Sequence, residues 1–538
     1  MEDVHVWRRF VFSMETRHAF FMEGSSRVRR ALPLLLGWVF LACLYGVFAF
    51  QGVKPFLSPD ETAVFAVATR LMKTGTLSLD ASPTIGFPWV HPRSFIPQYG
   101  SLIPVGFPLW STILGVVGWI GSGFMSILLA VVFVSSMIVP LVWMGERFMG
   151  WSRGTTVLWA LTGLCVPVAI LYGNRSFFTL MPQMAGLTWV MWGMMRNPSS
   201  PWIQGALGMS SAFVIGLRPT EIVWIGPIML ASFLMERRCV KNIPILLGVL
   251  LGFASLFLLH TWAYGSPFMV GYWLRVLPAE KIGALVLAPP PWWNAFFPYG
   301  FSLHQLLRNL RAVWTLGAWP WVLLWASAMV LTAVRVRRVG WKRGERALLL
   351  CLAWTGVWLL FYYGQGRFAD HIGGAFMHLG NSFLRYLAPF WMMASWWACA
   401  VLLETKRTWR VLVIIMMVLL SAFGIFWALS DREDGILRGR REREHYADVQ
   451  AFVLEHTSGT AIWASDRSDK ILFPLRLATA RMPEPEQVRA FLLTKQGEVW
   501  MYHRPFSQQE RDRWTQSGIE LIERARFPRE RIFEAKLR

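Results

Sequence analysis

Apolar runs approaching ~20 residues follow one another along most of this chain, separated by short polar segments. A run of that length crosses the hydrocarbon core of a bilayer. Backbone groups in lipid must pair within their own segment, so repeated runs leave the helix as the spanning element. Only 16% of the residues are charged, against about 25% in an average soluble domain. The chain therefore reads as a polytopic α-helical membrane protein, despite a length of 538 residues that would otherwise suggest several soluble domains.

The net charge of +21 does not point to nucleic acid. Much of it lies in short loops between apolar runs, where Lys and Arg mark the cytoplasmic side and attract anionic lipid. Arg8, Arg9, Arg17, Arg27, Arg29 and Arg30 place residues 1–30 in the cytoplasm. The first span, 31–51, then delivers residues 52–100 to the outer face. Residues 101–144 carry no charged side chain. If that stretch crossed twice, the basic loop from Arg335 to Arg346 would fall outside, so 101–120 is read as re-entrant or interfacial. By parity the spans are 31–51, 122–145, 154–173, 177–195, 202–217, 219–235, 243–263, 312–334, 346–364, 385–403 and 409–429, eleven in all, with a turn at Arg218-Pro219. The sequence divides into a cytoplasmic segment 1–30, a membrane domain 31–430 and an outer domain 431–538. In the last, strand-like runs such as Ile462-Trp463-Ala464 interleave with helical stretches at 484–494 and 507–517, as in a small α/β domain. The cysteines Cys43, Cys165, Cys239, Cys351 and Cys399 form neither a disulfide framework nor a zinc spacing. The first apolar run lacks a convincing cleavage site and should stay as an anchor.

Residues 52–100 hold the densest chemistry. Pro59-Asp60-Glu61 opens a stretch in which Val64, Val67, Ala68, Leu71 and Met72 recur at helical spacing, so 60–74 is expected to be an amphipathic helix in the membrane surface, ending at Gly75. Ser58-x-x-Glu61 has the form of a capping box, with Pro59 at the first helical position. Glu61 then caps while Asp60 points away. His91 and Arg93 follow in the same loop. Arg93, Arg218, Arg367 and Arg385 all fall near one membrane face. Ionisable groups at that depth are costly, and arginine suits a forked grip on phosphate; the plain alternative is that some of them only snorkel to the interface. Asp370, His371 and His378 have the residue types for a metal without a supporting spacing. Tyr272 fits an interfacial belt first and a substrate contact second.

Five stretches resemble the GT-C superfamily of polyprenyl-phosphate-sugar-dependent glycosyltransferases, most of all glycosyltransferase family 39, which includes protein O-mannosyltransferases and lipid A aminoarabinose transferases. They are Pro59-Asp60-Glu61, the Pro/Gly/Tyr-rich run Gln98 to Pro108, Gly216-Leu217-Arg218-Pro219-Thr220, Tyr264-Gly265-Ser266-Pro267 with Gly271-Tyr272, and Asn381 to Pro389. The resemblance implies transfer of a sugar from a polyprenyl-phosphate donor to an acceptor at the outer face of the cell membrane. In the family the acid at the start of the first outer loop is catalytic, which falls on Asp60 here, and Glu61 beside it is taken with it as a catalytic candidate; Arg93, Arg218 and Arg385 are expected from their own chemistry to hold the donor phosphate. His91, Tyr272, Arg367 and His371 would be substrate contacts. The partners implied are the donor, membrane lipid and an acceptor of unspecified class, with no nucleic acid. The family often has a second acid near the outer end of the third span; Asn174 to Gln183 contains none, which leaves the use of a divalent metal open. A transporter or flippase of lipid-linked sugars is the alternative; it would favour charges at mid-membrane and inverted repeats, and the sequence has few of the first and no repeat.

Overall fold

The structure, a computed structural model, describes residues 31–46, 49, 56–98, 100–196, 198–234, 243–268, 302–341, 345–366, 378–405, 407–466, 468–495 and 497–538. It is a bundle of apolar helices with a mixed α/β unit at its C-terminal end. After α1 (Ala31–Gly46) comes α2 (Pro59–Thr74), then short strands β1 (Leu79–Asp80), β2 (Phe95–Gln98) and β3 (Ser101–Pro104). Helices α3 (Leu109–Gly121), α4 (Gly123–Ser135) and α5 (Ile138–Met149) follow, with α4 and α5 forming one 27-residue apolar segment. Next are α6 (Arg153–Leu164), α7 (Pro167–Gly173), α8 (Leu180–Arg196), α9 (Pro201–Leu217), α10 (Ile222–Leu234) and α11 (Ile243–Tyr264). The bundle closes with α12 (Leu303–Val313), α13 (Trp319–Val339), α14 (Glu345–Tyr363), α15 (Ser382–Leu403) and α16 (Arg407–Ser430).

Six helices among the described residues are long and apolar enough to cross a membrane, or up to eight if each bent pair counts as one span. The expected span 154–173 is not straight. Pro167 has no N–H to donate and opens α7 after a break at Cys165-Val166, and the two halves meet at 80°. The turn expected at Arg218-Pro219 is present: a short 3-10 turn over Pro219–Glu221 separates two segments bent by 109°. The span expected at 312–334 begins earlier, at Leu303, and runs to Val339 through a wider turn at Trp314–Ala318, where Gly317 takes φ 120°. Residues 101–120 are β3 followed by the short helix α3, which turns back into α4 at Ser122.

Small residues set the closest approach. Gly208 of α9 and Gly248 of α11 let two backbones touch: a Cβ on Gly208 would lie 2.0 Å from the Ile245 carbonyl oxygen, and one on Gly248 2.0 Å from that of Gly205.

Helix α2 starts and stops where the sequence places it. Ser58 is the N-cap, Pro59 takes the first position, and Gly75 closes the helix at φ 71° with its N–H on the Leu71 carbonyl. Its apolar face lies on protein. Leu71 and Met72 meet the small residues Gly115 and Gly118 of α3, while Ala63, Ala66 and Val67 join a core with residues from the C-terminal unit.

That unit begins with α17 (Ile436–His456) and continues β4 (Ile462–Ser465), α18 (Asp469–Leu472), β5 (Leu477–Ala478), α19 (Pro485–Leu493), β6 (Val499–His503), α20 (Gln508–Gln516), β7 (Ile519–Arg526) and β8 (Arg531–Leu537). The five strands pair in the order β5-β4-β6-β8-β7, the first three parallel and the last two joined as an antiparallel hairpin. Its core is not self-contained. Phe95, Ile96, Leu102 and Ile103 of the first loop pack with Trp463, Phe473, Ala478 and Trp500, and Phe87 and Trp89 set their rings against Phe491.

Candidate active site where the membrane helices meet the first loop

Asp60 and Glu61 are adjacent at the start of α2, so the ~100° step of an α-helix sends them to different surroundings. Asp60 remains 42% exposed. Its Oδ1 accepts from the Ser94 hydroxyl at 2.8 Å, and its Oδ2 accepts from Arg385 Nη1 at 3.2 Å. Ser94 can reach it because the residue adopts φ 63° at the turn into β2.

Arg385 lies in the first turn of α15, where the N-cap side chain of Asn381 accepts from the Phe383 N–H. Its guanidinium is 12% exposed and packs against the rings of Phe178 and Tyr386, each 4.9 Å away, and of Tyr172 at 5.9 Å. Tyr172 is held by its hydroxyl on the Gly380 carbonyl at 2.9 Å. Behind Arg385, Tyr386 stacks on Tyr363 with centroids 3.9 Å apart. Tyr363 donates to Glu221 at 2.7 Å, and Arg218 bridges Glu221 at 3.0 Å and lies over the Tyr386 ring. Trp224 also donates to Glu221. Each buried charge in this row thus has a partner of opposite sign or an aromatic face, which is what makes burial tolerable.

Glu61 does not complete the cap. Ser58 accepts from the Asp60 N–H at 3.3 Å, while the Glu61 side chain is buried in a cavity of about 50 Å³ shared with Asn174, Arg175, Ser176 and Arg443. The reason is geometric: position 61 faces the junction of the α7–α8 turn with α17, where only protein is available. Burial pushes the Glu61 carboxyl up, against the pull of Arg175 and Arg443. Asn174 Oδ1, Ser176 Oγ and Arg443 Nε have no hydrogen-bond partner among the described residues. The cavity has room for a few waters, which would satisfy them. Arg175 packs over Tyr172 and Phe178, the same two rings that flank Arg385.

The other anticipated residues divide. Arg93 does not join Arg385: its backbone N–H and Nε form a fork on the buried carboxylate of Asp469, at 2.7 and 2.8 Å, tying the first loop to α18. The His91 carbonyl accepts from the Ala480 N–H at 2.7 Å, also a link to the C-terminal unit. Arg218 is near Arg385 but bound to Glu221. Tyr272, Arg367, His371 and Asp370 lie outside the described residues. His378 is buried and pairs with Asp434 through Nδ1. Among the described residues no three His, Cys, Asp or Glu side chains gather as a metal site would need.

Sequence reasoning passed over Ser94, Arg175, Glu221, Tyr363 and Arg443 as parts of this region. Arg175 had a signal, being the one charged residue in the turn between the expected spans 154–173 and 177–195. Ser94 and Arg443 had none, because only the folding of the first loop and of α17 brings them to the start of α2.

No protein-family model and no curated sequence matches the chain. Solved structures do. ArnT from Cupriavidus metallidurans bound to undecaprenyl phosphate superposes with a TM-score of 0.53 at 10% identity, over 93% of this chain and 97% of that one. The same protein in the apo state gives 0.53 at 12% identity, over 93% and 98%. The Archaeoglobus fulgidus oligosaccharyltransferase in its apo form gives 0.46 at 11%, over 89% and 70%. The ArnT match extends over nearly the whole of both chains, and what it shows is a shared fold.

Proposed function

We propose that this chain is an integral membrane glycosyltransferase that moves a sugar from a polyprenyl-phosphate carrier to a hydroxyl-bearing acceptor. The observation that carries the reading is the Asp60–Arg385 pair: a half-exposed carboxylate at a helix start, 3.2 Å from a largely buried arginine at the end of a membrane helix. A lipid-linked donor suits that position, since its tail stays in the bilayer while its phosphate reaches Arg385. Likeness of fold to a protein crystallised with undecaprenyl phosphate supports the same donor class.

In this reading the donor phosphate competes with Asp60 for Arg385 and releases the carboxylate. The acceptor oxygen attacks the anomeric carbon as its proton passes to Asp60. The bond from that carbon to the phosphate oxygen breaks, and the departing phosphate keeps the electron pair, its charge met by Arg385. Attack opposite the leaving group inverts the anomeric centre. Arg218 and Glu221 hold the Tyr363–Tyr386 stack behind Arg385 and do not touch the phosphate. The site would face outward across the cell membrane, with residues 1–30 cytoplasmic, a membrane domain over 31–430 with eleven crossings, and 431–538 on the outer side with the 52–100 loop.

Binding of undecaprenyl phosphate to the full chain in detergent tests the phosphate site. Arg385→Ala is expected to weaken it by about 10–100-fold, the loss of a charge-assisted contact of ~1.5–3 kcal/mol, with Arg385→Lys recovering only part because lysine lacks the fork. Unchanged binding in both variants would move the phosphate elsewhere.

A further inference from the structure

A groove of about 680 Å³ opens where the last membrane helix ends, away from Asp60. Helix α16 is strongly apolar from Thr408 to Ser430, and only 28% of its most apolar window is buried, so most of it faces lipid. Phe426, one turn before the end, is 64% exposed. The chain therefore leaves the hydrocarbon at about Ser430, and the groove begins there.

The charges in its wall are unequally committed. Asp431 accepts from the Glu433 and Asp434 N–H groups, Glu442 takes Arg438 Nε at 3.1 Å, and Glu530 lies 3.5 Å from His445. Arg432, Arg441 and Arg529 are exposed, and none has a carboxylate within ion-pair distance among the described residues. Asp431 and Glu442 are thus hydrogen-bonded, Glu530 keeps Oε2 without a hydrogen-bond partner beside His445, and three arginines have no carboxylate within ion-pair distance among the described residues. Leu429 and Leu437, the latter 49% exposed, add an apolar side to the same groove.

We propose that this groove binds the phosphate head group of an anionic bilayer phospholipid, with Arg432, Arg441 and Arg529 around the phosphate and Leu429 and Leu437 against the acyl chains. Cations placed at a lipid surface gain from anionic head groups, and a lipid brings its own apolar part to the leucines. Free phosphate would leave the leucines in water. The site also has a structural consequence. Arg438, Arg441 and His445 recur along one side of α17, while Gly439 and Arg443 line the Glu61 cavity on another. A lipid held on the first side keeps α17 seated on the start of α2.

Native mass spectrometry of the full chain, released from nanodiscs of mixed phosphatidylglycerol and phosphatidylcholine, tests the proposal. Wild type is expected to keep phosphatidylglycerol selectively. At roughly fivefold per arginine, Arg432→Gln/Arg441→Gln/Arg529→Gln should bind it on the order of a hundredfold more weakly. Arg440→Gln, which removes an exposed arginine already paired with Glu444 on the same helix, should change nothing. Should the triple variant unfold, Arg441→Gln alone is expected to lose about fivefold. Equal retention by wild type and the arginine variants, or no preference over phosphatidylcholine, overturns the proposal. So does saturation by inorganic phosphate with the same arginine dependence, which would make it a site for the free ion.

Discussion

At the residue level, two neighbouring carboxylates meet different fates. Asp60 keeps water on one side and Arg385 on the other; Glu61 is enclosed with two arginines. Because burial holds the Glu61 carboxyl above its ordinary range, the folded state binds its proton more tightly than the unfolded chain does. Stability contributed by that proton is present at low pH and is lost as pH rises from the ordinary carboxylate range to the raised folded value. Glu61→Gln removes the titration. Thermal unfolding in detergent should then show a flatter dependence on pH over that window, with the variant no less stable than wild type at neutral pH. A loss of stability in the variant that appears at neutral pH and vanishes at low pH would mean that ionised Glu61 holds Arg175 and Arg443 in place. Arg218, expected at the phosphate from its charge, pairs in this structure with Glu221, a carboxylate only 2% exposed.

At the scale of helices and strands, local chemistry was legible wherever one residue decides the backbone. Ser58-Pro59 and Gly75 bound α2, Pro219 turns the chain at Arg218, and alternating apolar runs mark β4 and β6. What could not be read was which surface covers a face. Val67 and Leu71 look equally suited to lipid and to protein, and only the fold puts α3 and the C-terminal unit over them. Nor could the sequence announce that Arg93 meets Asp469, which lies 376 positions away. Length alone did not show the bend within 154–173, where the two halves meet at 80° before Pro167. The glycine contact between α9 and α11 gives a test at this scale. Gly208→Ala puts a methyl group 2.0 Å from a carbonyl, whereas a Cβ at Gly205 meets its nearest neighbour at 3.6 Å. The first should cost about 1–3 kcal/mol in unfolding experiments despite alanine's better helix propensity, and the second should be neutral or slightly stabilising. Equal effects would place the helix contact elsewhere.

At the scale of the molecule, the C-terminal unit and the first loop are one body of packing over the membrane helices. Trp463, Phe473 and Trp500 share a core with Phe95 and Leu102, and Arg93 reaches Asp469 alongside it. Arg93→Ala should therefore destabilise the junction by about 1.5–3 kcal/mol, the range for hydrogen bonds to charged groups, and leave binding of undecaprenyl phosphate intact. Limited proteolysis would read the first effect as faster cleavage of residues 77–105, and the binding assay the second. Lost binding with unchanged proteolysis would return Arg93 to the phosphate. The same packing places the half-exposed carboxylate of Asp60 beneath a roof made partly by Ser94, so the site depends on both ends of the chain.

Sugar transfer with Asp60 as base is tested by single-turnover transfer by the reconstituted full chain, offered a panel of radiolabelled polyprenyl-phosphate sugars and a membrane extract as acceptor. Wild type is expected to move label from at least one donor, and Asp60→Asn to slow that transfer by ~10²–10⁴-fold while still binding undecaprenyl phosphate. Transfer at the wild-type rate in Asp60→Asn, or no transfer from any donor by a wild-type chain that binds the carrier, would contradict the account.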